Sequence, residues 1–298
     1  MSVNPILTIA AFGQSLGILP GVGGTIGHWR DGSGDLLRPA DKAAIDACAP
    51  RQTGCYPLIP FSGRVRDGRF HFQGKPIQLA LNFAPEQHAI HGSAWMNPWS
   101  PAERGPTHLR IILDHEAGPN WPWRYHAWQE FRLTPDGLSV EIGVRNTDST
   151  PFPAGLGLHP YFPRRPDTRM TASLGGVWHY DSVLIPIRHA PVGADWDFSQ
   201  GRTVDPARVD HTFTDIGGPI TIDWHDRDRR VTIEPDAIFD KFVVFIPEGR
   251  DYFCVEPVTL MPDSFDRPEQ DRPGFRVLAP GETLSGVVRF NLQKGPRT

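Results

Sequence analysis

Hydrophobic and polar positions alternate most clearly in the middle of the chain. Ala127, Gln129, Phe131 and Leu133 interleave with Trp128, Glu130 and Arg132. Pro135-Asp136-Gly137 breaks the run, and Leu138, Val140, Ile142 and Val144 then interleave with Ser139, Glu141 and Arg145. A period of two around a Pro-Asp-Gly break predicts an antiparallel hairpin with one buried face. Leu284, Gly286, Val288, Phe290 and Leu292 predict a final strand of the same kind. The apolar run Phe242 to Pro247 predicts a buried strand, and Tyr252 to Pro257 the next. Short apolar pieces and glycine turns before Pro39 predict opening hairpins, and residues 40–50 one short helix. Tyr56 to Phe70 predicts a strand, a bend at Gly63 and a hairpin turn at Asp67-Gly68. Between 170 and 235 the pattern breaks into short pieces, with the doubly charged stretch Asp223 to Arg230 expected as a solvated turn.

Composition supports an all-β reading. The 298 residues include 30 Gly and 31 Pro spread along the whole length, which disfavours long helices, and 9 Trp, which disfavours disorder. No linker separates the parts, so a single domain over residues 1–298 is expected. A net charge of -4 without a basic cluster excludes the electrostatic footprint of a nucleic-acid binder, and no polybasic run marks a membrane surface. No apolar stretch approaches the ~20 residues that a membrane helix needs. Pro5 to Val22 lacks the basic leader of a targeting segment. Cys48, Cys55 and Cys254 fit neither a zinc knuckle nor a disulfide framework. Reduced thiols and a soluble, cytoplasmic protein acting on a small molecule are therefore expected.

Candidate chemistry centres on Gly155-Leu156-Gly157-Leu158-His159-Pro160-Tyr161-Phe162. Two glycines allow close backbone approach, Pro160 stiffens the exit from His159, and Tyr161 and Phe162 can wall a pocket. Because the preceding hairpin leads directly into this stretch, His159 should stand on or beside a strand. A lone histidine among aliphatic residues is more often a satisfied core residue, so its weight depends on partners. Glu256 interrupts the apolar run Cys254-Val255-Glu256-Pro257, where an unpaired carboxylate would cost several kcal/mol or take up a proton. A structural ion pair with Arg64 would explain it equally. Arg64 follows the Gly63 bend, and its guanidinium suits paired hydroxyls or a carboxylate, or is a plain charge at a strand end. His91 precedes Gly92, with Trp95 and Trp99 close behind. Indole faces beside hydrogen-bonding groups suit a sugar; a buried aromatic cluster is the alternative. His88 and His91 stand three apart without a helix or an intervening Glu, a poor metal signal. Asp210, beside His211, is a further plausible ligand contact.

Taken together, Gly23-Gly24, Pro60-Phe61-Ser62-Gly63-Arg64-Val65, His91-Gly92, Gly157-Leu158-His159-Pro160-Tyr161-Phe162, Asp210, Val255-Glu256-Pro257 and Pro280-Gly281-Glu282 resemble the aldose 1-epimerase, or galactose mutarotase, family. The resemblance implies a large antiparallel β-sandwich holding a sugar in an open cleft. It implies His159 as acid and Glu256 as base, with Arg64, His91 and Asp210 as sugar contacts, and no metal or other cofactor. Many members carry Asn where Gly63 stands, and Thr or Asn where Leu158 and Pro160 stand; these departures bear on the preferred sugar. Opening an aldose ring needs a base at the C1 hydroxyl and an acid at the ring oxygen, so one Glu and one His suffice. Three other readings compete: a sugar-binding protein without catalysis, a glycosidase pairing Glu256 with Asp210 or Asp240, and, last, a purely structural β-sandwich interaction module. The sugar, neutral or anionic, stays open, as does a monomer or a homodimer.

Overall fold

The structure, a computed structural model, describes residues 4–205, 207–267 and 274–294. The Ala127 to Val144 alternation forms the expected hairpin from strands Tyr125–Thr134 and Gly137–Asn146. Their register sets Leu133 against Leu138, Phe131 against Val140, Gln129 against Ile142 and Ala127 against Val144, all on the buried face. Gln129 is the polar exception, and its Nε2 donates to the Gly24 carbonyl at 2.8 Å. A buried amide so satisfied avoids the penalty of an unpaired polar group. This hairpin lies within a nine-stranded antiparallel sheet that also contains the final strand, Thr283–Gln293.

The second large sheet has eleven strands. The opening hairpins Leu7–Ala11, Gln14–Leu19 and Thr25–Asp31 form one flank. At its centre Cys55–Leu58, Gly157–Pro163, Tyr252–Val258, Lys241–Ile246 and Val209–Ile216 lie side by side, in that order. The main core, shared with the nine-stranded sheet, takes alternate side chains: Leu158, Phe162, Phe253, Val255, Phe242 and Val244. The intervening positions face the other way. There Tyr56, Leu58, Tyr161, Cys254 and Val258 join Ile90 and Trp95 in a separate aromatic cluster. Successive side chains of a strand point to opposite faces, so one set of strands builds both layers.

Three local expectations change. Asp67-Gly68 does turn the chain, with both residues at positive φ, yet the flanking strands do not pair with each other. Arg64–Val65 pairs with Ala89–Ile90 instead, and the hairpin is formed by Arg69–Phe72 with Lys75–Gln78, one step later. His88 accounts for the difference. Its buried Nδ1 accepts from the Asp67 backbone N–H at 3.1 Å and anchors the turn to the Ala89 strand. The Asp223 to Arg230 stretch turns as expected but is not all solvated: Trp224 is fully buried, and buried Asp223 holds Arg230 bidentately at 2.7 and 2.9 Å. The short helix is Lys42–Asp46, capped by the Asp41 carboxylate on the Ala44 N–H, and a 3-10 turn Pro50–Gln52 follows it. No helix of the described residues is long and apolar enough to cross a membrane.

Candidate active site

His159 and Glu256 come from adjacent strands of the eleven-stranded sheet. The register sets Gly157 against Val258 and Tyr161 against Cys254, which places His159 across from Glu256. Pro160 and Pro257, which have no N–H to give, lie inside this interval and leave the ladder open there. His159 Nε2 is 3.2 Å from Glu256 Oε1, and both residues are buried. The imidazole packs against two neighbouring rings, Tyr56 and Tyr161, with centroids 4.5 and 4.7 Å away. Its rotamer is restricted by these two contacts.

Burial pushes the Glu256 carboxyl well above the usual carboxylate range; the negative charge of Asp210 adds to this, and Arg64 and Arg51 oppose it. Burial likewise holds His159 well below the ordinary histidine range, with Arg51 contributing in the same direction. Both shifts favour the uncharged forms, a protonated carboxyl and a neutral imidazole, so the pair reaches its acid–base form, imidazolium and carboxylate, by a proton moving across the 3.2 Å contact.

His91 stands edge-on to His159, ring centroids 5.7 Å apart. It sits at φ +60°, between two hydrogen bonds to Gly63: its backbone N–H donates to the Gly63 carbonyl at 2.9 Å, and the Gly63 N–H donates to its Nδ1 at 3.2 Å. Accepting at Nδ1 leaves the ring proton on Nε2. Burial, then the charges of His159 and Arg64, hold this ring neutral by lowering its pKa well below 6.5. Gly92, next to it, has φ +71°, and a Cβ there would lie 2.1 Å from the Ile59 carbonyl oxygen. Gly13 has a similar φ, +73°, but nothing within 4 Å. Gly13→Ala is expected to cost about 1 kcal/mol from backbone strain alone, and Gly92→Ala clearly more, at least about 2–3 kcal/mol. Equal urea midpoints for the two variants would refute this assignment of the Gly92 constraint.

Arg64 does not pair with Glu256. Its Nε and Nη2 both reach Glu86 Oε2, at 3.3 Å. Asp210 faces the same group of charges from Val209–Ile216: burial raises its carboxyl, Arg64 opposes the rise, and its own charge acts on Glu256. Of the residues singled out from the sequence, Glu256 and His91 thus lie against His159, Arg64 and Asp210 act on the pair through their charges, and His159 alone of the five lines the cavity that opens over it. Asp240 is apart from it, bonded to Lys241 Nζ at 2.5 Å beside a different cavity. Trp95 lines the cleft, whereas Trp99 is buried with its indole N–H given to the Ala94 carbonyl.

Over His159 opens a cavity of about 680 Å³, walled by Tyr161, Trp95, Phe83, Phe245, Tyr252, and Arg51 among others. Among the described residues, His159 Nδ1, the Tyr56 hydroxyl and Arg51 Nε are buried without a hydrogen-bond partner. Each such atom left unpaired costs ~1–3 kcal/mol. His159, Cys254 and Glu256 also bring three metal-capable atoms within 4.8 Å of one another. Burial, then the Glu256 charge, raises the Cys254 thiol well above its ordinary value, so it stays protonated and is a poor ligand.

Arg51, Glu86 and Tyr56 were not singled out from the sequence. Arg51 lies in Pro50-Arg51-Gln52 and Glu86 in Pro85-Glu86-Gln87, where nothing in spacing or apolar pattern distinguishes them from surface charge. Only the fold brings Arg51 to the cleft, Glu86 to Arg64 and Tyr56 to His159.

Comparisons with known proteins bear on the family and the fold. YphB of Escherichia coli K12, an uncharacterised protein, is 31% identical over 285 residues, covering 91% of this chain and 93% of YphB. The crystal structure of a candidate aldose 1-epimerase from Escherichia coli K12 superposes with a TM-score of 0.89 at 27% identity, over 98% of this chain and 99% of that one. A galactose mutarotase-like protein from Clostridium acetobutylicum shares the fold, with a TM-score of 0.86 at 23% identity over 97% and 95% of the two chains. The sequence pattern of the aldose 1-epimerase family matches residues 6–291. With sequence pattern and fold in accord, the chain belongs to the aldose 1-epimerase family.

Proposed function

We propose that the protein interconverts the α and β anomers of an aldose by acid–base opening and closing of the ring. The observation that carries this reading is the buried contact of His159 Nε2 with Glu256 Oε1 under an aromatic cleft. In the form of the pair in which the shared proton sits on His159, ionised Glu256 takes the proton from the C1 hydroxyl while His159 gives its own to the ring oxygen. The C1–ring oxygen bond breaks, C1 becomes a carbonyl, and the proton that left His159 is balanced by the one gained at Glu256. Rotation about C1–C2 turns the other carbonyl face inward. Glu256 then returns a proton to the C1 oxygen, His159 removes the one on the former ring oxygen, and the ring closes as the opposite anomer.

Each of the other groups has a task in this scheme. His91, held neutral with its proton on Nε2, donates to a sugar hydroxyl. Arg64 is kept near the reacting pair by Glu86 and favours ionised Glu256. Tyr56 and Tyr161 lock the imidazole so that little ordering is needed at reaction. Polarimetric relaxation of fresh α-D-glucose and α-D-galactose is expected to speed up with enzyme in proportion to its concentration. Sugar binding without any acceleration, for these sugars and for acidic ones, would instead support a non-catalytic binding protein.

A further inference from the structure

The cleft contains one arginine whose charge the protein leaves unanswered. Arg64 pairs with Glu86, and Arg66 with Asp181 and Asp263. Arg38 lies over the rings of Tyr161 and Tyr252, and its fork donates to the carbonyls of Arg51 and Thr53. Arg51 differs from all three. Its guanidinium lies over the Phe83 ring at 3.9 Å, its Nε is buried without an acceptor, and no carboxylate pairs with it among the described residues. The cavity lining it shares with His159 includes neither Asp nor Glu. Glu86 borders a neighbouring hollow with Arg51, but its carboxylate is turned to Arg64.

The Phe83 contact holds the guanidinium at the cavity, and its terminal N–H groups make no hydrogen bond among the described residues and are left for an acceptor there. A carboxylate, sulfonate or phosphate fits such an edge with two parallel charge-assisted hydrogen bonds. Sugar geometry then gives the position of that group. If His159 serves the ring oxygen, the carbon next to that oxygen and its exocyclic C6 lie on the His159 side of the ring. That side opens into the cavity lined by Arg51, whereas Glu256, serving C1, is not part of its lining. Resting on the epimerase reading, we infer that the preferred substrate is an aldose with an anionic group on C6, held by Arg51.

Anomer exchange measured by NMR on D-glucose, D-glucuronate and D-glucose 6-phosphate tests this, the two acids separating a carboxylate from a phosphate. At least one acid is expected to show kcat/KM ten or more times that of glucose. Arg51→Met should reduce that acid's kcat/KM by about 30- to 100-fold more than that of glucose, in line with loss of a charge-assisted pair, and Arg51→Lys should restore part of the difference. The backbone carbonyl that holds Arg38 is kept in both variants. Equal rates on all three sugars, or equal losses on glucose and the acids, would overturn the inference. If no sugar is accelerated, calorimetric titration decides separately. Tighter binding of either acid to wild type than to Arg51→Met would preserve the anion site without the epimerase reading, and equal or absent binding would remove both.

Discussion

Glu256→Gln is expected to slow anomer interconversion by about 10²- to 10⁴-fold while making the protein more stable. The rate loss is the usual worth of a general base, because an amide of the same shape cannot accept the C1 proton. Stability should rise because wild type buries a carboxyl whose ionised form is disfavoured by burial and by Asp210. With the folded pKa raised, the sign follows from linkage. Below the unfolded value, near 4.5, both states hold the proton and the carboxyl adds no penalty; as pH rises toward the folded pKa the unfolded state ionises first, and wild type loses stability. Gln does not titrate, so the gap between variant and wild type should widen with pH, reaching on the order of 1–2 kcal/mol near neutrality. Polarimetry and urea unfolding at pH 4.5 and 7.5 check both parts. Near-wild-type turnover would dismiss Glu256 as base, and a constant stability gap would dismiss the buried carboxyl as its cause.

His159→Ala should reduce kcat by a similar 10²- to 10⁴-fold but with the opposite effect on stability. It removes a ring stacked against both Tyr56 and Tyr161 and takes away the polar neighbour 3.2 Å from Glu256. Loss of two such ring contacts, each ~0.5–1.5 kcal/mol, together with the cavity left behind, implies a net cost of about 2–4 kcal/mol. Adding Glu256→Gln to His159→Ala should slow the reaction little further, because the two groups act as one proton-transfer unit. Multiplicative losses in the double variant would mean that the two residues work in separate steps.

Much of the fold was legible in the sequence because a strand buried on one face writes itself as a period of two. The Ala127 to Val144 hairpin and the last strand are such cases. Turn residues alone were less informative. Asp67-Gly68 has the composition of a hairpin turn, but the His88 contact that reroutes the chain comes from 21 residues away. At the site, His159 and Glu256 stood out as polar residues interrupting apolar strands. Their mutual contact did not, since 97 residues separate them and only the sheet order makes their strands neighbours. Arg51 and Glu86 gave no signal at all, being charged residues in loops, where charge is ordinary.

The alternation of the two central strands ties assembly of the site to folding itself. Leu158 and Val255 face the main core, while His159 and Cys254, one position along, face the aromatic cluster. A slip of either strand by one residue would turn the imidazole or the carboxyl into the apolar interior and bring aliphatic side chains out. Misregistered forms are thus penalised twice, by exposed aliphatics and by a buried titratable group. Correct threading of the interior and juxtaposition of the acid with the base are a single event, so a chain that has closed its interior has no separate search left to make for its chemistry.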